Sequence, residues 1–386
     1  MIMSKTNEGS KTILLVDIAH NSVGVGVLVV APNIAPRLLS VWRETFESTD
    51  LVIERVFQTT LRITRKLIEK ANAAGYGAWD DVYCSVGSPW VLTHVRTARY
   101  ARDKQFVVTE KLLNQLVQAD QDKFFARAGF GTVPFSNHAT ILDYDRIATR
   151  VNGHTMNNPV GQRARDVECS YLVSGMDSEH IAALRSALYV VGHREPIIHA
   201  VQRSQLRAIQ TLQGAKNYAL IDFHGGITEC SVVRDGVLTV TASTPVSEES
   251  YLNDLAHILN KSKREIVSII NMHSRALLDT STATQLGKAH DQLIERYTRN
   301  FRELLVTVAQ HGLIPNQVFF VADHSMQFFD KLLLSNEYAP LTVVHGTLRP
   351  TPLSASLFGH AIDARAVEVS DTPLVIAALA YSSNHS

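Results

Sequence analysis

One pattern occurs twice in this chain and constrains its fold more than any other. TILLVDIA (12–19) runs into the polar link His20-Asn21-Ser22 and returns as VGVGVLVV (23–30). In the second half, LIDFHGGITECSVVRDG (220–236) climbs to Asp222, turns at Gly225-Gly226 and returns as an apolar run to a second turn at Asp235-Gly236. Apolar, β-branched runs on either side of a short polar or glycine link predict antiparallel hairpins. Each first strand ends in an acid, Asp17 or Asp222. Such a hairpin suits phosphate: turn N–H groups point at phosphate oxygens, and glycine lets the backbone come close. Two acids at the turn mouths suit a hydrated Mg²⁺ and an attacking water.

Helical patterns follow each hairpin, so the repeat is architectural. RLLSVWRETFE (37–47) reads as a third strand, and 51–75 has apolar residues at helical spacing up to Gly75. Two strands broken at Gly87-Ser88-Pro89 are expected over 80–100, then a helix capped by Thr109. ATILDYDRIATRVNG reads as a strand pair and DVECSYLVSG (166–175) as a strand. Asp177 and Ser178 open a helix, and a helical run is expected over 196–213. After the second hairpin come VSEESYLNDLAHILN, SKREIVSIINMHSRALL and a long helix over 288–311. QVFFVADHSMQFFDKLLL (317–334) reads strand, turn, helix; LTVVHG (341–346) reads as a strand and DTPLVIAALAYSS as a closing helix.

Composition excludes several function classes. Lys plus Arg and Asp plus Glu both number 37 in 386 residues, so no global charge draws the chain to nucleic acid or anionic lipid. The basic run RITRKLIEK (62–70) alternates with apolar residues as a solvated helix face. Cys84, Cys169 and Cys230 are widely spaced, which suits a reducing cytoplasm and neither disulfides nor a metal motif. The polar start MIMSKTNEGSKT has no signal core, and no apolar run reaches membrane-spanning length. A cytoplasmic protein without direct membrane insertion is expected.

Two acid-ended hairpins in successive halves, each followed by helices, form the plan of an α/β actin-like (ribonuclease H-like) two-lobed ATPase. The chain resembles the family of the cell-division protein FtsA and its relative PilM of type IV pilus assembly, from about Thr12 to Tyr381. VDIAHNS resembles the first phosphate loop, LIDFHGGITE the second and FVADHS the adenosine loop. VNGHTMNNPVGQRARDVECSYLVSG resembles the end of the FtsA-type inserted subdomain, and TPVSEESYLNDLAHIL the segment after the second phosphate loop. The resemblance implies lobe I at 1–81 plus 176–216, the inserted subdomain at 82–175 and lobe II at 217–386. It also implies ATP with Mg²⁺, contacted by Asp17, Ser22, Asp222, Gly225, Gly226, Thr228, Ala322 and Asp323. Asp17 and Asp222 would hold the metal through its water and serve catalysis if the site is active.

Departures from the family pattern bear on whether it is. Ala19 and His20 stand where the family has Gly and Ser or Thr; His224, Ile227 and Glu229 stand for Gly, Thr and Asp. Ala322-Asp323 and Ser247-Glu248 replace glycine pairs. A Cβ at a close-approach glycine displaces the ligand, so the expectation is a scaffold with degenerate, weak nucleotide binding and at most a weak ATPase. The alternative is a working ATP switch that polymerises. A sugar or acid kinase of the superfamily is a third option, for which no catalytic motif is present. Expected partners are membrane-bound division or pilus proteins, with self-association in the switch reading. The chain stops soon after LVIAALAYSSNHS, without the FtsA membrane anchor, so a partner would hold it at the membrane; division and pilus pathways both stay open.

His20, His224 and His324 fall in the three cleft loops. They read as a zinc site, as an anion grip that titrates or simply as turn residues in a chain with 16 histidines. Trp42, Trp79 and Trp90 read as core aromatics, and Arg96, Arg99, Arg102 and Lys104 as a solvated strand face.

Overall fold

The computed structural model describes residues 9–46, 53–126, 139–192, 194–212, 214–223, 226–322, 326–367 and 371–385. Two five-stranded sheets with the same strand order carry the molecule. The first is built from β1 (Lys11–Ile18), β2 (Ser22–Ala31), β3 (Ile34–Thr45), β4 (Asp81–Val86) and, later in the chain, a short fifth strand. Helix α1 (Ile53–Ala73) packs on it through Phe57, Leu61, Ile63, Leu67 and Ile68. Thr60 and Thr64 also lie on the buried side, each hydroxyl bonded to the carbonyl four residues back, at 3.0 and 2.8 Å, which removes the cost of burying it.

A four-stranded antiparallel sheet interrupts this lobe. It comprises β5 (Val91–Val107), β6 (Ala139–Val151), β7 (His154–Thr155) and β8 (Arg163–Asp177), with α2 (Glu110–Ala126) alongside. Residues 139–151 form one long strand and not a pair; the reversal comes at Asn152-Gly153, both with positive φ. The first charges of β5 meet partners within the sheet's own unit. Arg96 forks onto Asp120 at 2.8 Å, and Arg99 pairs with Asp166 at 2.7 Å. The division expected at residue 82 needs correction: β4 pairs in parallel with β1 from Asp81 to Val86, so the inserted sheet starts only after it. The run VYCSV is buried, as a strand covered on both faces requires.

The chain returns to the first sheet through α3 (Ser178–Gly192), whose first turn donates to Asp177. The helix expected over 196–213 divides into β9 (Ile197–Ala200), paired in parallel with β4, and α4 (Val201–Gln210). Pro196 and the β-branched pair Ile197-Ile198 favour the strand.

The second sheet repeats the plan with β10 (Tyr218–Asp222), β11 (Thr228–Arg234), β12 (Val237–Thr244), β13 (Gln317–Val321) and β14 (Arg349–Pro352), in the order β12-β11-β10-β13-β14. Helices α5 (Glu248–Leu259), α6 (Lys263–Ser274), α7 (Thr280–Ala309) and α8 (Met326–Leu333) cover it. Helix α7 begins earlier than expected because Asp279 caps it, accepting from Thr282 N at 2.9 Å. LTVVHG forms no strand: Thr342 Oγ1 closes a turn onto Gly346, and His345 has positive φ. The fifth strand is Arg349–Pro352, which among the described residues pairs with β13 alone; an edge position accommodates its two prolines.

The last helix, α9 (Thr372–His385), lies against α4 and the first sheet, although it follows the second in sequence. Its Leu374, Ala377, Ala378 and Tyr381 join Ile13, Leu15, Leu206, Leu220 and Val321 in one core that links the two sheets. No helix among the described residues is long and apolar enough to cross a membrane.

Candidate functional site

Both hairpins end at one cleft, lined by Asp17, Ser22, Gly87, Gln205, Asp222 and Glu229 among others. In the first lobe the register dictates its chemistry. Asp17 on β1 lies opposite Gly24 on β2, and Gly24 lies opposite Arg43 on β3. Because the middle residue has no side chain, the guanidinium lies across it and reaches the acid two strands away. A Cβ on Gly24 would sit 2.5 Å from Arg43 Nη2, so the guanidinium would have to move off its position.

Arg43 donates from Nη2 to Asp17 Oδ2 at 2.8 Å and from Nη1 to Ser22 Oγ at 3.0 Å. It also forks onto Asp371, through Nε at 2.7 Å and Nη2 at 2.9 Å. Asp371 in turn accepts from Leu374 N at 3.0 Å at the start of α9. One cation therefore joins the acid near the end of β1, the serine that opens β2 and the closing helix. Asp17 is 3% and Asp371 7% exposed, so these are charge-assisted bonds largely out of water.

The second lobe places two acids where the first has an acid and a glycine: Asp222 lies directly opposite Glu229. Helix α4 serves both, Gln205 Nε2 donating to Asp222 and Gln202 Nε2 to Glu229. Burial first, and the neighbouring Asp222 second, push Glu229 up to about 8, so Glu229 holds its proton at neutral pH. Like charges side by side in a dry site cannot both ionise cheaply.

Between the β1–β2 link and α5, Asn21 Nδ2 donates to Glu249 at 3.5 Å, and Glu249 accepts from Lys263 Nζ at 2.6 Å. His20 sits beside this pair; burial is the main cause that holds its imidazole below the usual pKa, with Glu249 opposing. Ser247 and Glu248 have a local task. Ser247 caps α5 through Ser250 N at 3.2 Å, and Glu248 N donates to Phe223 O at 3.0 Å.

Asp17, Ser22 and Asp222 are thus buried around one cleft; Thr228 is buried at the start of β11 and Ala322 just after β13. A Cβ on Gly226 would enter open space. Gly225, Asp323, His224 and His324 lie outside the described residues; no group of three metal-ligating side chains occurs among those described. Sequence reading missed Arg43, Asp371, Gln202 and Gln205. The available signal was an arginine on a strand whose hairpin neighbour alternates glycine with valine.

The fold implies Mg²⁺ and nucleotide, and the residues do not fit them in this arrangement. Mg²⁺ at Asp17 would stand against a guanidinium already bonded to that carboxylate, cation against cation. The cleft measures about 30 Å³, room for one or two waters. Of the residues that line it, Ser88 Oγ and Gln205 Oε1 are buried without a protein partner among the described residues.

No protein-family model and no curated relative matches the chain. Among solved structures, a chain of the PilM–PilN type IV pilus biogenesis complex matches with a TM-score of 0.60 at 12% identity, over 98% of this chain and 99% of that one. The ethanolamine utilization protein EutJ from Carboxydothermus hydrogenoformans matches with a TM-score of 0.45 at 12% identity, over 99% and 92%. A Bacteroides thetaiotaomicron protein of actin-like ATPase fold and unknown function matches at 0.36 and 10% identity, over 67% and 81%. The chain has the two-lobed α/β actin-like fold, in an arrangement like that of the PilM–PilN complex chain.

Proposed function

We propose that this protein is a PilM-like scaffold of type IV pilus assembly in which the chain's own arginine has replaced the nucleotide's metal. The observation that carries the reading is the Arg43 clamp on Asp17, Ser22 and Asp371. A working site in this fold keeps its acids for Mg²⁺; here the first acid is neutralised from within. Cleft closure then needs no ligand, and Arg43 holds α9 against the first lobe permanently. The fold likeness to a chain of the PilM–PilN complex supports the pilus pathway over division. In this reading the protein docks a membrane-bound partner, and the inserted sheet after β4 offers the surface.

A second reading, a nucleotide switch with Arg43 displaced, is favoured by one observation: Ser88 Oγ and Gln205 Oε1 on the cleft lining are buried without protein partners among the described residues. Steady-state ATP hydrolysis with Mg²⁺ tests the two. The scaffold stays at the buffer rate, with or without Asp222→Asn. Turnover that Asp222→Asn abolishes would establish the switch instead.

A further inference from the structure

Helix α4 has two working sides. Val201 and Gln205 face the cleft, whereas Arg203, Leu206, Arg207 and Gln210, at i, i+3, i+4 and i+7, share another side and line a separate pocket of about 130 Å³. Arg146 and Asp145 of β6 stand across from them, and Leu172 and Leu238 contribute apolar surface.

Arg146, Arg203 and Arg207 line this pocket with one carboxylate, Asp145, which is bonded to Arg203 Nε; outside the lining, Asp143 stands 3.8 Å from the same nitrogen. Arg96, Arg99 and Arg150 of the inserted sheet each have an ion-pair partner. Arg146 and Arg207 have none among the described residues, although Arg207 reaches Gln210 at 3.3 Å. Arg203 Nη1 is moreover buried with no hydrogen-bond acceptor, a costly state for a cationic donor. The surplus positive charge and the missing acceptor call for an anion, and the leucines call for an apolar body attached to it.

We propose that this pocket binds a small carboxylate with a short, branched aliphatic tail. The carboxylate bridges Arg207 and Arg146 over Arg203, and the tail rests on Leu172, Leu206 and Leu238. An apolar cavity of about 150 Å³ holds benzene, so 130 Å³ suits a body of about five carbons. The pocket lies on the opposite side of α4 from the Arg43 clamp, so its occupancy does not depend on nucleotide in the cleft.

The test is calorimetric titration of the full chain with 3-methylbutanoate at low ionic strength. The uncharged 3-methylbutan-1-ol and inorganic phosphate serve as comparators. Arg146→Met and Arg207→Met keep the aliphatic stems and leave the Arg203–Asp145 pair intact; thermal melting checks that each variant folds. The proposal expects saturable one-to-one binding, weakened about tenfold or more in each folded variant, as loss of a charge-assisted bond does. Both comparators should bind at least as poorly as the variants bind the acid. Absence of saturation at millimolar 3-methylbutanoate, or binding that both variants retain, would overturn the site. Phosphate binding as tightly as the acid would overturn the assignment of the aliphatic tail.

Discussion

Replacing Arg43 by alanine should destabilise the protein and, at the same time, give it a response to Mg²⁺ that the native chain lacks. Arg43 bonds two carboxylates whose side chains are each 5% exposed, while its own is 24% exposed. Removing one partner of a buried ion pair costs about 3–5 kcal/mol. The partial exposure of Arg43, and the helix-end bond that Asp371 keeps, place the expected loss near the lower end, about 3 kcal/mol. Unfolding entropy of about 2.1 cal/mol/K per residue over 386 residues converts this into about 4 °C in Tm for a single transition. The truncation also leaves Asp17 and Asp371 without the cation between them, which is an environment a divalent ion stabilises. Calorimetric melting of the wild type and Arg43→Ala, each with and without millimolar MgCl₂, measures both effects. Mg²⁺ should restore a large part of the lost Tm in the variant and leave the wild type unchanged. An unchanged Tm in Arg43→Ala, or equal stabilisation of both proteins by Mg²⁺, would refute the idea that the guanidinium acts as an internal counter-ion.

Two further predictions concern the second hairpin. Glu229 is raised from 4.5 to about 8 in the folded chain, so the native state holds a proton that the unfolded chain has released between those values. Stability therefore falls as pH rises through that window, by up to about 1.4 kcal/mol per pH unit, and levels off above it. Glu229→Gln should flatten that fall in denaturant titrations between pH 5 and 8; an equally steep variant would mean the proton resides elsewhere. Gly226→Ala should stay within about 0.5 kcal/mol of wild type, because its methyl enters open space. A melting loss several times larger would show that something approaches the backbone there.

The hairpins were legible because strand patterning is local, and the acids at 17 and 222 fall at strand ends where the apolar runs stop. The equal strand order of the two sheets follows from the same repeat. What controls the cleft was not legible, because it depends on pairing across distance. Arg43 and Asp371 are 328 positions apart, and their meeting requires α9 to return to the first sheet. The row Asp17–Gly24–Arg43 needs the register of three strands, which composition cannot supply. Two local misreadings had local causes. Ile197-Ile198 merged with the helix that follows, since a four-residue strand is shorter than one helical repeat can distinguish. LTVVHG has strand composition, but Val343 and Val344 are exposed in a turn held by Thr342.

The most direct test of the account is calorimetric titration of the purified wild-type chain with ATP and Mg²⁺, beside Asp222→Asn. With Arg43 on Asp17 and about 30 Å³ in the cleft, no binding heat is expected up to millimolar nucleotide, in either protein. Micromolar affinity that Asp222→Asn weakens would contradict the account and show that Arg43 yields the first acid to the metal.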